Sequence, residues 1–103
     1  MNLQTLVDWH QRHCDGSWEH RCGIRLETLD NPGWLLTVDL AGTELESEGM
    51  TEVREGLGPS GHPVAPCWIH CFVKDQKFLG ACDPSQVDRL FEVFERFARR
   101  PAV

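Results

Sequence analysis

No apolar run in these 103 residues approaches the roughly 20 needed to cross a bilayer, which excludes a membrane-spanning helix. The opening stretch Met1 to His13 interleaves Asn2, Gln4, Asp8 and Arg12 with leucines, unlike the apolar core of a signal peptide, so a cytoplasmic location is expected. Basic residues are few: 10 Lys and Arg against 16 Asp and Glu leave a formal charge of −6. That balance argues against gripping nucleic acid through its phosphates or docking on an anionic membrane, and it suits a cationic partner. Neither a C-x-x-C nor an H-x-x-x-H pair occurs, and no internal repeat or low-complexity tract is visible. The five cysteines are odd in number and irregularly spaced, which favours reduced, partly buried thiols over a disulfide framework.

What is there fits one domain over residues 1–103. The composition is 41% hydrophobic and 25% charged, and a chain of this length buries roughly 60 to 65% of its unfolded surface. Leu3, Leu6, Val7, His10 and Cys14 fall on one stripe of an amphipathic helix from Asn2, its N-cap, to about His13, with Asp15-Gly16 closing it. Ser17-Trp18-Glu19-His20 then reads as a bulky, charged loop. Gly23 to Leu29 alternates as a strand, the Asp30-Asn31-Pro32-Gly33 turn follows, and Trp34 to Ala41 resumes the alternation. The resulting hairpin should place Ile24 and Leu26 on the core side with Leu36 and Leu40.

Asp39 to Glu55 holds six acids (Asp39, Glu44, Glu46, Glu48, Glu52, Glu55) and one base, Arg54, a local charge of −5. A short strand near Met50 to Arg54 fits there, and Gly56 to Pro66, with six Gly or Pro in eleven residues, reads as an irregular loop. Cys67 to Val73 is bulky on both faces and reads as a central strand, joined through Lys74-Asp75-Gln76-Lys77 to Phe78–Cys82. Asp83 as N-cap, Pro84 at N1 and Gln86 at N3 open a closing helix whose Val87, Leu90, Phe91, Phe94, Phe97 and Ala98 keep helical spacing. Glu92 with Arg96 and Glu95 with Arg99 are favourable i,i+4 pairs, and Arg100 joins Arg96 and Arg99 at the negative end of the dipole. The architecture expected is α+β: an antiparallel sheet of four to five strands with N- and C-terminal helices packed on one face.

Chemistry is weakly signalled. His10 and Cys14 stand one helical turn apart, with His20 and Cys22 nearby, and could reach a metal; buried thiols and a helix-face histidine are the simpler account of them. Cys67 and Cys71 on an extended strand lie roughly 13 Å apart and cannot share an ion. Cys82 precedes a helix N-terminus, where a lowered thiol pKa is conceivable, but no partner histidine is identifiable. The Gly56 to Gly61 stretch lacks the lysine and strand-to-helix setting of a phosphate loop. No catalytic residue, metal or cofactor is therefore assigned. The competing function is a small metal- or thiol-dependent enzyme, or a zinc-binding protein. A third, an oligomerisation module, would pair through Cys67 to Val73. Aromatic and charged residues in loops, Trp18, Glu19, His20 and Asp30, have the composition of a binding surface, although Trp18 and Trp34 suit a core as well.

Cys14-Asp15-Gly16-Ser17-Trp18-Glu19-His20, Gly23-Ile24, Thr28-Leu29-Asp30-Asn31-Pro32-Gly33-Trp34, Asp39-Leu40 and Thr43 closely resemble the Imm53 family of bacterial immunity proteins. The second half matches more loosely, through Trp68, Phe78, Gly80 and the closing helix. The resemblance implies a small cytoplasmic protein that binds and neutralises the toxin domain of a polymorphic toxin system, with that toxin as partner and no catalysis of its own. Many such toxins are nucleases with basic clefts. The expected toxin-facing patch is Glu44, Glu46, Glu48 and Glu52 with Asp39, and the rival surface is Trp18, Glu19, His20 and Asp30.

Overall fold

The computed structural model describes residues 3–99. Asn2 as a cap and the charge of Arg100 lie outside the described residues. Helix α1 spans Leu3–His13, a short helix α2 spans Trp18–Arg21, and strands β1 (Ile24–Leu29) and β2 (Gly33–Asp39) follow. Then come β3 (Val53–Glu55), β4 (Ile69–Lys74), β5 (Lys77–Cys82), a 3₁₀ turn at Pro84–Gln86 and helix α3 (Val87–Ala98). All strand pairs are antiparallel, in the order β1-β2-β5-β4-β3.

The expected five-stranded α+β sheet is present, and its pleat sorts the residues. Leu36 and Val38 of β2, Ile69 and Cys71 of β4, and Phe78 and Cys82 of β5 share one buried face, against which α3 sets Leu90, Phe91, Phe94 and Phe97. Ile24 and Leu26 pair with Val38 and Leu36 and so share their side as anticipated, but Leu26 lies beyond the core at 38% exposure. Its Gly33 is a close-approach position: a Cβ there would stand 2.6 Å from the Cys82 carbonyl oxygen and 3.2 Å from the Trp68 ring. The β4–β5 hairpin turns through Asp75 and Gln76, with φ of 54° and 59°, the two left-handed residues of a type I′ turn. Asp83 caps the 3₁₀ turn through the Ser85 amide, and of the two helical ion pairs Glu95–Arg99 closes at 2.8 Å.

Four expectations need correction. The buried face of α1 is Leu6 and Trp9, each at most 2% exposed, while Leu3 and Val7 are 53% and 44% exposed. Aromatic contacts set that orientation: the Trp9 ring meets Phe94 at 5.3 Å and Trp18 at 6.0 Å, both edge-on. Residues 18–21 form a helical turn rather than a loop. β4 is the interior strand expected, lying between β5 and β3, but it begins at Ile69 rather than Cys67. Gln86 makes no reciprocal cap bond, because the 3₁₀ turn intervenes before α3.

Candidate functional site

The string from Cys14 to His20 is held by its own carboxylates. Asp15 Oδ1 accepts the Ser17 and Trp18 amides, both at 2.9 Å, and Glu19 accepts the Asp15 and Gly16 amides at 2.9 and 2.8 Å. Gly16, at φ +90°, makes the turn possible. The amides of Trp18 and Ser17 hold the Asp15 carboxyl below its ordinary range, and backbone amides, its own first, do the same for Glu19. Trp18 is 4% exposed, with its indole N–H donating to the Ala41 carbonyl at 2.8 Å. It belongs to the core and presents no side chain to a partner, whereas His20 is exposed.

The acidic connection meets this segment. Gly42 lies against the Trp18 ring, the Gly42 amide donates to Glu46 at 2.8 Å, and Glu44 contacts His13 Nε2 at 2.6 Å. Partial burial works against the Glu44 charge, but the His13 contact and the Glu44 amide hold its carboxyl below the ordinary range. Buried Leu45 pins the turn, leaving Glu44 and Glu46 exposed and Glu48 half-buried. Asp15, Glu19, Glu44 and Glu46 thus surround one end of the molecule where α1, α2 and the connection converge.

The remaining predicted residues do not join them. Asp39 sits at the end of β2, taking Lys77 Nζ at 2.6 Å and the Gly23 amide at 2.9 Å; desolvation opposes its charge, yet Lys77 and Gly23 keep its carboxyl below the usual range. Glu52 contacts His70 and lies 4.0 Å from Arg54, and Glu55 forms a two-pronged pair with Arg89. Two of the six carboxylates, Asp39 and Glu55, are therefore matched by cations from distant elements, Lys77 and Arg89. Asp30 lies at the far end of β1, about 20 Å from α2 at 3.3 Å per residue, so the rival surface is split. Sequence reasoning also missed a helix-free sheet face on which Leu35, Phe72, Leu79 and Ala81 are half-buried. Its signal was the apolar residues on the alternate face of β2, β4 and β5.

Nothing here is arranged as a thiol or metal centre of the kinds considered. His10 Nδ1 and Cys14 Sγ approach to 3.7 Å, but burial first, then Glu19 and Asp15, raise the Cys14 thiol pKa, so the pair is not poised as a thiolate. Cys82 is fully buried and desolvation pushes it up to about 11, the reverse of activation; Cys71 is pushed up to about 12. Among the described residues no three His, Cys, Asp or Glu are grouped to hold an ion, and all five cysteines are free. A thiol-labelling reagent applied to the native protein should modify exposed Cys67 well before Cys71 and Cys82, with all five labelled after denaturation. Labelling of Cys82 as fast as Cys67 would contradict its burial.

A family model described as Immunity protein 53 matches residues 3–99. The chain belongs to the Imm53 family. No curated protein and no solved structure matches it. The family description carries the role of an immunity protein, one that acts by binding a toxin partner. Among the described residues no helix is long and apolar enough to cross a membrane. Against the family match, the unusual strings of this Imm53 chain have structural explanations: the Trp18 segment is a core-anchored helical turn, and Gly33 is fixed by the Cys82 carbonyl.

Proposed function

We propose that this Imm53 protein neutralises its cognate toxin domain by occluding a cationic working surface, such as a nuclease cleft, with the carboxylate-rich end formed by Glu19, Glu44, Glu46 and Glu48. What supports this reading is the convergence of the acidic connection with α2 at the Trp18–Gly42 contact. The carboxyls of Asp15, Glu19 and Glu44 are held low by hydrogen bonds and so stay ionised well below neutral pH. A toxin cleft shaped for phosphate would be steered to such a surface electrostatically. His20 borders it, and Trp18 supports it from beneath. Asp39 and Glu52, with Lys77 and Arg54 beside them, contribute less, and Asp30 lies outside it.

The test is the affinity of the toxin domain encoded beside this protein, measured over a range of salt. Combined reversal, Glu44→Lys, Glu46→Lys and Glu48→Lys, is expected to weaken binding about tenfold or more and to flatten its salt dependence. Asp30→Ala is expected to leave both unchanged. If the triple variant bound as tightly as wild type with the same salt slope, the acidic end would not be the docking surface.

A further inference from the structure

Among the described residues strand β1 is one edge of the sheet, paired with β2 alone. The Asp39 amide donates to the Gly23 carbonyl at 3.0 Å, which makes Gly23 and Asp39 a hydrogen-bonded pair. Such pairs recur at every second residue of an antiparallel ladder, so Arg25, Glu27 and Leu29 turn their backbone groups toward β2. Ile24, Leu26 and Thr28 therefore aim theirs outward, and among the described residues no backbone hydrogen bond from outside the sheet's own ladder reaches them. The opposite edge, β3, is blunted by being three residues long. β1 runs six residues without proline, glycine or bulge. Beside it lies an open groove of about 240 Å³ lined by Leu3, Val7, His10, Ile24 and Leu26. Of the four large hydrophobic residues most exposed among the described residues, three, Leu3, Val7 and Leu26, border that groove.

We infer that β1 is a homodimer interface, pairing antiparallel with β1 of a second copy about a two-fold axis at Leu26 to join two five-stranded sheets into one of ten. Charge selects this register. An axis at Arg25 would set Arg25 against itself, and an axis at Glu27 would set Glu27 against itself. With the axis at Leu26, Arg25 faces Glu27 of the second copy and Glu27 faces its Arg25, both on the helix-free side of the sheet. The outward backbone groups match at the same time, Leu26 with Leu26 and Ile24 with Thr28, in hydrogen-bonded pairs. On the helix side, the paired Leu26 side chains extend the apolar strip made by Leu3 and Val7. The strand is thus self-complementary in backbone, charge and apolar surface.

Sedimentation equilibrium of the isolated protein, without toxin, tests this independently of the function proposed above. The expected mass is twice the 11.7 kDa of one chain, with a dissociation constant below about 100 μM. Arg25→Glu puts two like-charged pairs across the axis and should weaken the dimer about tenfold, while adding Glu27→Arg should restore it. Far-UV circular dichroism checks that both variants are folded. In the wild type, the amides of Ile24, Leu26 and Thr28 should gain exchange protection as concentration rises. A monomeric wild type at that concentration would overturn the inference. So would a dimer indifferent to Arg25→Glu, or one not restored by the charge swap. Protection of these three amides only on adding toxin would also overturn it, and would assign the edge to a strand of the toxin.

Discussion

Trp9→Ala is expected to lower the stability of the fold by about 3–5 kcal/mol. Trp9 is 1% exposed, and its ring stands where three helices meet: against Phe94 of α3, Trp18 of α2 and His13 of its own helix at 4.3 Å. Truncation removes a large apolar area and opens a cavity that rigid neighbours, Phe94 and Phe78 packed edge-on at 5.2 Å, are poorly placed to fill. Against a total of about 5–15 kcal/mol for a domain of this kind, the variant keeps little reserve. Trp9→Phe should cost less, for a second reason beside its smaller volume change. The indole N–H of Trp9 is a buried polar group with no partner among the described residues, and phenylalanine does away with it. Urea unfolding of the three proteins, followed by circular dichroism, orders them wild type, Trp9→Phe, Trp9→Ala. A Trp9→Ala loss under about 1.5 kcal/mol would mean that α1 is not docked through this residue.

Trp9 also shows where sequence patterning stops. A helical stripe of Leu3, Leu6, Val7 and His10 is a sound amphipathic pattern, yet the helix is rotated so that Leu6 and Trp9 face inward. One large ring meeting two other aromatic residues outweighs several small aliphatic ones, and that choice depends on α2 and α3 being present. The sheet was more legible because its signals are local: alternation of Trp34, Leu36 and Val38 on one face, a turn tetrapeptide whose proline and glycine fix the backbone, and a polar connection from Lys74 to Lys77. Four residues are too few for periodicity to reveal α2, although the carboxylates Asp15 and Glu19 bracketing Ser17 and Trp18 were a readable capping signal. The acidic run was read as one patch because its members are neighbours in sequence. In space, Asp39, Glu52 and Glu55 go to Lys77, His70 and Arg89, residues that only the closed sheet and the docked α3 bring near them. Glu44, Glu46 and Glu48 stayed together because a turn series pinned by Leu45 carries all three.

Asp83→Ala is expected to cost about 2–4 kcal/mol, an unusual amount for one capping residue. Its carboxylate is buried and does two jobs: Oδ2 accepts the Ser85 amide and hydroxyl at 2.9 and 2.5 Å, and Oδ1 accepts the Trp68 amide at 2.8 Å. The first job starts the turn that leads into α3. The second ties that start to the residue preceding β4, whose amide would otherwise be buried without a partner. Alanine loses the cap, worth about 1–2 kcal/mol, and strands the Trp68 amide at a similar further cost. Burial opposes the Asp83 charge, but the Ser85 hydroxyl and the Trp68 and Ser85 amides win, so its folded pKa lies below the ordinary aspartate value. A depressed carboxyl pKa contributes stability that is fully present above the unfolded value, near 4, and is lost as pH falls toward and through the folded one. Asp83→Asn keeps an acceptor but cannot ionise, so its stability deficit relative to wild type should be constant from about pH 7 to 5 and should shrink below about pH 4. Unfolding titrations of both proteins at stepped pH measure that gap directly, and a deficit that stayed the same down to pH 3, about one unit below the ordinary aspartate value, would assign the acid sensitivity of the fold to other groups.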